Sequence, residues 1–160
     1  HERLGLDITQ AGLYTAIVPL MTLLGAPFWG VLSDRIGRKR ITLAMFLLAG
    51  FAIALLPSAE TGWRLFLVLG CYGFFGALAW NPVLVAWMGD HAQRLNQVGI
   101  GTVMGLMNTM GMSASFVAPV LSGWIRDGLG SLDWAFYLGA AACLGGFFCS
   151  LVARESMKLK

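Results

Sequence analysis

The densest run of chemically capable side chains in this sequence is Ser33-Asp34-Arg35-Ile36-Gly37-Arg38-Lys39-Arg40, a lone carboxylate among four cations. Nothing around it resembles a nucleophile with its base, and His1 and His91 stand apart, one at the chain end and one in a loop, so no enzyme is expected. The chemistry open to this run is electrostatic. Asp34 can pair with Arg38 one turn on, or accept from free N–H groups at a helix N-terminus. The other candidates are hydrogen-bonding groups set singly in apolar sequence: Tyr14, Thr15 and Thr22, then Trp80 and Asn81, then Asn108, Thr109, Ser113 and Ser115. An amide such as Asn108 both donates and accepts, which suits a hydroxylated or carboxylated solute. Cys71, Cys143 and Cys149 form no CxxC pair and have no His at ligand spacing, so neither a metal nor a cofactor is expected.

The elements that hold these groups follow from composition. Apolar residues make up 58% of the chain and charged ones 12%, against about 25% charged in a soluble domain. Mean hydropathy is +0.73. A membrane span takes about 20 apolar residues, and five such runs stand out, at about 9–32, 41–56, 63–89, 97–125 and 134–153. None has an ionisable residue in its interior. Backbone groups in hydrocarbon must be satisfied within their own segment, so each run is expected to be a helix, and the alternating strands of a barrel are absent. Glycines recur in the third and fourth runs (Gly70, Gly73, Gly76; Gly101, Gly105, Gly111), where they admit close helix packing. Asn81-Pro82 and Pro119 predict kinks. The expected fold class is an all-α polytopic membrane protein.

Charge asymmetry sets an expected orientation. With the first loop inside, Arg35, Arg38, Lys39, Arg40, Arg94, Arg154, Lys158 and Lys160 lie inside, and Arg3, Arg64 and Arg126 outside. The start of the chain is then external and its end cytoplasmic. Trp63, Trp124 and Trp134 fall at the outer surface and Trp29 and Trp87 near the inner one, depths that suit an amphipathic ring. Topology accounts for the basic residues, so nucleic acid is not an expected partner. The start at His1, with no signal-peptide pattern, reads as a cut within a longer protein.

The first loop, Gly30-Val31-Leu32-Ser33-Asp34-Arg35-Ile36-Gly37-Arg38-Lys39-Arg40, resembles the signature loop of the major facilitator superfamily, G-x-L-[AS]-D-[RK]-x-G-R-[RK]-[RK], at every defining position. Gly37 serves the tight reversal, and Gly30 allows a neighbouring helix to approach. Asp34 is badly placed for its own helix dipole, so it needs a cation or another helix N-terminus, such as that near Asn96 to Gly99. The resemblance implies that Gly30, Asp34, Arg35, Gly37, Arg38, Lys39 and Arg40 form a conformational latch rather than a substrate site.

It further implies a bundle of twelve helices in two halves. First halves of the family often carry an arginine inside the fourth helix. The corresponding helix here has Arg64 only at its outer end, and Cys71-Tyr72 precede Gly73. The chain therefore resembles helices eight to twelve, with residues 1–160 a partial C-terminal domain whose partner is the missing N-terminal half. The first, third and fourth runs then face a central cavity, and Trp80, Asn81, Asn108, Thr109 and Tyr14 are the candidates to line it. The implied function is secondary active transport of a small solute by alternating access in a bacterial inner membrane. The stretch Gly105-Leu106-Met107-Asn108-Thr109-Met110-Gly111 resembles carriers of organic anions and sugar acids. The alternatives are a drug or metabolite efflux carrier, or a non-transporting sensor or assembly protein on the same fold.

Overall fold

The structure, a computed structural model, describes residues 7–59, 62–95 and 99–153, with side chains at all of these but 77, 78, 94 and 95. Among them every element is helical: α1 (Ile8–Ile36), α2 (Arg38–Leu55) with a 3-10 turn (Leu56–Ser58), α3 (Trp63–Phe75), α4 (Ala77–Leu95), α5 (Ile100–Leu129) and α6 (Asp133–Val152). With α3 and α4 taken as one span, five helices are long and apolar enough to cross a membrane. The 29 residues of α1 extend about 43 Å, longer than a hydrocarbon core of about 30 Å.

Local sequence explains the boundaries. The Asp7 carboxylate accepts the Ile8 N–H at 2.8 Å and caps α1. Gly37 alone makes the reversal between α1 and α2, at φ 110°, a conformation that side-chain-bearing residues rarely adopt. Gly130, at φ 70°, closes α5.

The third run is divided, and not where the proline motif predicts. The break falls at Gly76, whose backbone is extended (φ −73°, ψ 171°), and Pro82 lies within α4. Pro82 sits near the start of a helix that begins at Ala77, so its missing N–H removes a single early bond, that to the Leu78 carbonyl. A break in a membrane span exposes carbonyls that hydrocarbon cannot satisfy. Two side chains of α1 meet that need: the Thr22 hydroxyl donates to the Gly73 carbonyl at 3.0 Å, and the Trp29 indole N–H to the Phe74 carbonyl at 2.8 Å.

Backbone proximity holds α1 and α3 in that register. A Cβ built on Gly73 would stand 2.6 Å from the Val18 carbonyl oxygen, and one on Gly25 would stand 2.9 Å from that of Phe74. The core sits between α1, α2 and α4, where Trp29, Ile41, Met45, Ala79, Trp80 and Val83 pack together. The far side of α2 lies on α6, with Gly50 against Cys143 and Gly146 against the Phe46 ring. By contrast, among the described elements α5 touches only α4 and α6, and none of its most apolar stretch is buried.

Candidate functional site

Two sets of side chains stand out. The first gathers at the Gly37 end of the bundle. Arg38, the first residue of α2, bridges two carboxylates: its guanidinium lies 3.5 Å from Asp34, at the end of α1, and 2.9 Å from Asp90 on α4. Each charge is poorly placed for its own helix. Asp34 sits near the negative end of α1 and Arg38 at the positive end of α2, while Asp90 lies toward the C-terminal end of α4. Together they compensate one another. Arg38 is the most enclosed, with its side chain 17% exposed, against 29% for Asp90 and 63% for Asp34. A planar guanidinium suits this double role in a way an ammonium cannot.

Lys39 adds a further tie. Its ammonium donates to the Leu151 carbonyl at 2.7 Å, in the last turn of α6. A cation there complements the dipole and satisfies a carbonyl the helix leaves open. Arg35 and Arg40 are exposed. Gly30 is half-buried, but a Cβ on it would meet nothing within 4 Å, so the close approach expected at Gly30 occurs instead at Gly25 and Gly73. Helices pack where their surfaces cross, and the α1–α3 crossing lies further from Gly37 than Gly30 does.

The expected contact of Asp34 with the N-terminus of the fourth run is not formed within the described residues, where α5 packs on α4 and α6 and not on α1. Residues 96–98 lie outside the described part of the chain.

The second set lines the open side of α4 and α5. Asn81, Asn108 and Thr109 are all exposed. The Asn81 and Asn108 amides have no hydrogen-bond partner among the described residues. The hydroxyls beside them are occupied: Thr109 donates to the Gly105 carbonyl, Ser113 to that of Thr109 and Ser115 to that of Gly111, at 2.9, 2.8 and 3.0 Å. Such bonds back to the preceding turn satisfy a hydroxyl within its own helix.

Two of the sequence candidates are placed elsewhere. Trp80 is 3% exposed and packs edge-on against Phe46 in the α1–α2–α4 core, so it faces protein and not the open side. Being a large aromatic near the start of α4, it fills the space beside the break. Tyr14 is half-buried at the opposite end of the bundle, where its hydroxyl accepts the Gly62 N–H at 3.3 Å, ahead of α3. Trp29 and Trp87 are buried in protein as well, whereas Trp63, Trp124 and Trp134 are exposed.

Sequence reasoning missed Asp90 as the second partner of Arg38. A carboxylate just after an apolar run, at the same end as a basic loop, was the available signal. It also missed that Thr22 and Trp29 cap a break. The sign was Gly73 and Gly76 flanking two phenylalanines, a pattern that permits an extended residue inside a span. Among the described residues no group of His, Cys, Asp and Glu could hold a metal ion.

The family model of the Major Facilitator Superfamily matches residues 1–159. Among curated proteins the chain is similar to the multidrug resistance protein MdtG of Yersinia enterocolitica, 28% identical over 151 residues, with 91% of this chain and 35% of the relative covered. It is similar also to the MdtG protein of Escherichia coli K12, 27% identical over 141 residues, covering 88% of this chain and 33% of the relative. The chain thus spans about a third of the length of these relatives. No solved structure matches it.

Proposed function

The chain belongs to the Major Facilitator Superfamily, and from that premise we propose that it is the latch-bearing part of a secondary transporter that moves a small solute by alternating access. The observation that carries this reading is Arg38 bridging Asp34 and Asp90. It ties the ends of α1 and α2 to α4 through charges that separate cleanly if the helices rock apart, which makes the Gly37 end a two-state element. The loop residues Gly30, Asp34, Arg35, Gly37, Arg38, Lys39 and Arg40 serve this latch, with Gly37 as its turn and Arg38 as its bridge.

The open side of α4 and α5 is one wall of the solute pathway, and further helices of the same transporter form the opposite wall. The resemblance of this chain to helices eight to twelve supports the N-terminal half as the source of those helices. Positive-inside bias puts the Gly37 end in the cytoplasm of a bacterial inner membrane, with the first residues of this chain outside. The resemblance of the stretch from Gly105 to Gly111 to carriers of organic anions and sugar acids favours such a solute. The relatives named as multidrug resistance proteins favour a second reading, efflux of a drug or metabolite.

Cysteine accessibility tests the transport cycle. In the full-length protein freed of native thiols, a Thr109→Cys variant is labelled with a membrane-impermeant maleimide from each side of sealed vesicles. Labelling from both sides, shifted in ratio by Asp34→Asn, is the expected result. Labelling from one side only, unchanged by Asp34→Asn, overturns the reading.

A further inference from the structure

At the end of the bundle away from Gly37, a cavity of about 350 Å³ opens between the 3-10 turn after α2 and the start of α3. Its rim and its floor differ in chemistry. Ser58, Trp63 and Arg64 line it where the two helices end, and Leu55, Leu67 and Val68 line the part further in. Leu67 and Val68 each follow Trp63 and Arg64 by four residues, so they lie about 6 Å along α3 from them. Leu55 lies inward of Ser58 in the same way, at the end of α2. The groove between α2 and α6 has no such rim: Leu47, Phe51, Leu144 and their neighbours line it without a polar side chain.

The rim is positive and uncompensated. Arg64 stands in the first turn of α3, where a cation opposes the helix dipole, and that turn holds no acidic residue. No side chain caps the helix, whose N-cap is Gly62 at φ 92°, so the first-turn N–H groups add to the positive end. The Arg64 guanidinium lies 5.9 Å from the centre of the Trp63 ring and has no ion pair among the described residues. Trp63 is 70% exposed, and its indole N–H has no partner among them either. Ser58 donates to the Leu55 carbonyl at 2.8 Å, which leaves its oxygen able to accept. A cation, uncapped N–H groups and an indole donor share one rim, and a single anion serves all three.

The floor decides which anion. An inorganic ion engages the rim and leaves Leu55, Leu67 and Val68 uncovered. A phospholipid engages both, with its phosphate at the rim and an acyl chain on the floor, where the bilayer turns to hydrocarbon. No carboxylate lines the cavity to pair with the ammonium of a zwitterionic headgroup, whereas a glycerol headgroup donates a hydroxyl to Ser58. We infer that this cavity binds an anionic phospholipid of the phosphatidylglycerol type, in the leaflet opposite the Gly37 end, with Arg64 and the start of α3 holding its phosphate. None of the lining residues is on α4 or α5, so the inference stands apart from the solute pathway.

The test follows amide exchange and thermal unfolding of the full-length protein in detergent, titrated with dioleoylphosphatidylglycerol, dioleoylphosphatidylethanolamine or inorganic phosphate. Glu60, outside the described residues, is the nearest carboxylate in sequence, which makes the ethanolamine lipid the critical comparison. Phosphatidylglycerol should raise the unfolding midpoint saturably and slow exchange at residues 63–65. Arg64 and Trp63 are exposed, so substitutions there keep the fold. Arg64→Gln should weaken binding about tenfold, the order of one lost charge-assisted hydrogen bond. Arg64→Lys should recover part of it, and Trp63→Ala should weaken it about threefold. Arg40→Ala, at an exposed cation of the Gly37 end, should leave protection at 63–65 unchanged. Equal protection by phosphatidylethanolamine overturns the anionic headgroup, and equal protection by inorganic phosphate overturns the lipid. Protection at 63–65 that survives Arg64→Gln, or no protection by any of the three, overturns the site itself.

Discussion

The two sides of this bundle are built on opposite rules. Where α1, α2, α3 and α4 meet, glycines bring backbones together, Trp29, Met45 and Trp80 fill the core, and side chains of α1 satisfy the broken span. On α5 the glycines bring nothing together: a Cβ on Gly101, Gly105, Gly111 or Gly123 would meet no atom within 4 Å. Large apolar side chains stand uncovered there, including Phe116 and Trp124, both 77% exposed. The same residue type thus has opposite meanings. A glycine in the packed half is a contact already made, and a glycine on α5 stands with open space beside it.

The sharpest way to break that contrast is to put side chains on both kinds of glycine. Gly73→Val drives methyl groups into the Val18 carbonyl and the Met21 Cβ, 2.6 and 2.9 Å from where the new Cβ must go. Backbone cannot yield as a side-chain tip does, so a loss of about 3 kcal/mol or more is expected. Thermal unfolding of the full-length protein in detergent should show it as a large fall in midpoint or as failure to assemble. Gly105→Ala should leave the midpoint within error, or raise it slightly through helix propensity. If its effect equals that of Gly73→Val, α5 is already packed against another helix as tightly as α1 is against α3.

The next effect belongs to the Gly37 end. Arg38→Ala removes the ion pair of the partly enclosed Asp90, and with it the bridge between α2 and α4. A cost of about 2 kcal/mol is expected, below that of a fully buried pair because water reaches both carboxylates. Arg38→Lys should recover only part, since an ammonium cannot reach two carboxylates in a fixed fork. The control is Arg40→Ala, an exposed cation in the same loop, which should change stability very little. Equal losses for Arg38 and Arg40 would reduce the loop to a topology signal.

Legibility in the sequence follows the same division. The spans were readable because hydrocarbon leaves helix as the sole solution for an unbroken apolar run, and the ordered loop from Gly30 to Arg40 identified the family. Gly37 was readable because a one-residue reversal needs a backbone that glycine alone adopts cheaply. Long-range partners were not. Asp90 lies 52 residues from Arg38, and the Trp29–Phe74 bond spans 45. No local pattern encodes which helix lies beside which. Trp80 misled because mid-span polarity marks a cavity or a core equally well, and the choice depends on which way the helix is rotated. The break at Gly76 was obscured by Pro82, the stronger local signal.

The break supplies a smaller effect. Trp29→Phe retains the ring among Phe28, Phe74 and Phe75 but removes the N–H that the Phe74 carbonyl accepts. About 1 kcal/mol is expected, together with faster amide exchange at residues 76–79 and unchanged exchange in α2. Thr22→Val should do the same at the Gly73 carbonyl. Faster exchange throughout α1 instead would mean that Trp29 matters for packing and that the carbonyls find other donors.

The smallest effect tests whether the loop reaches beyond the latch. Lys39 is the single described residue of the basic run that bonds to α6, at the Leu151 carbonyl. Lys39→Met keeps much of the apolar stem and deletes the cation, which should cost about 0.5 kcal/mol, the scale of a charge at a helix end. So small a change is read locally. Amide exchange in the last turn of α6, through Val152, should rise several-fold while the Arg38–Asp90 contact holds, and added salt should shrink the difference between variant and parent. If exchange rises equally around Asp90, Lys39 acts through the latch and not on α6. In that case the packed half and α6 are coupled through one charge cluster, and the division between the two sides of the bundle begins at α5 alone.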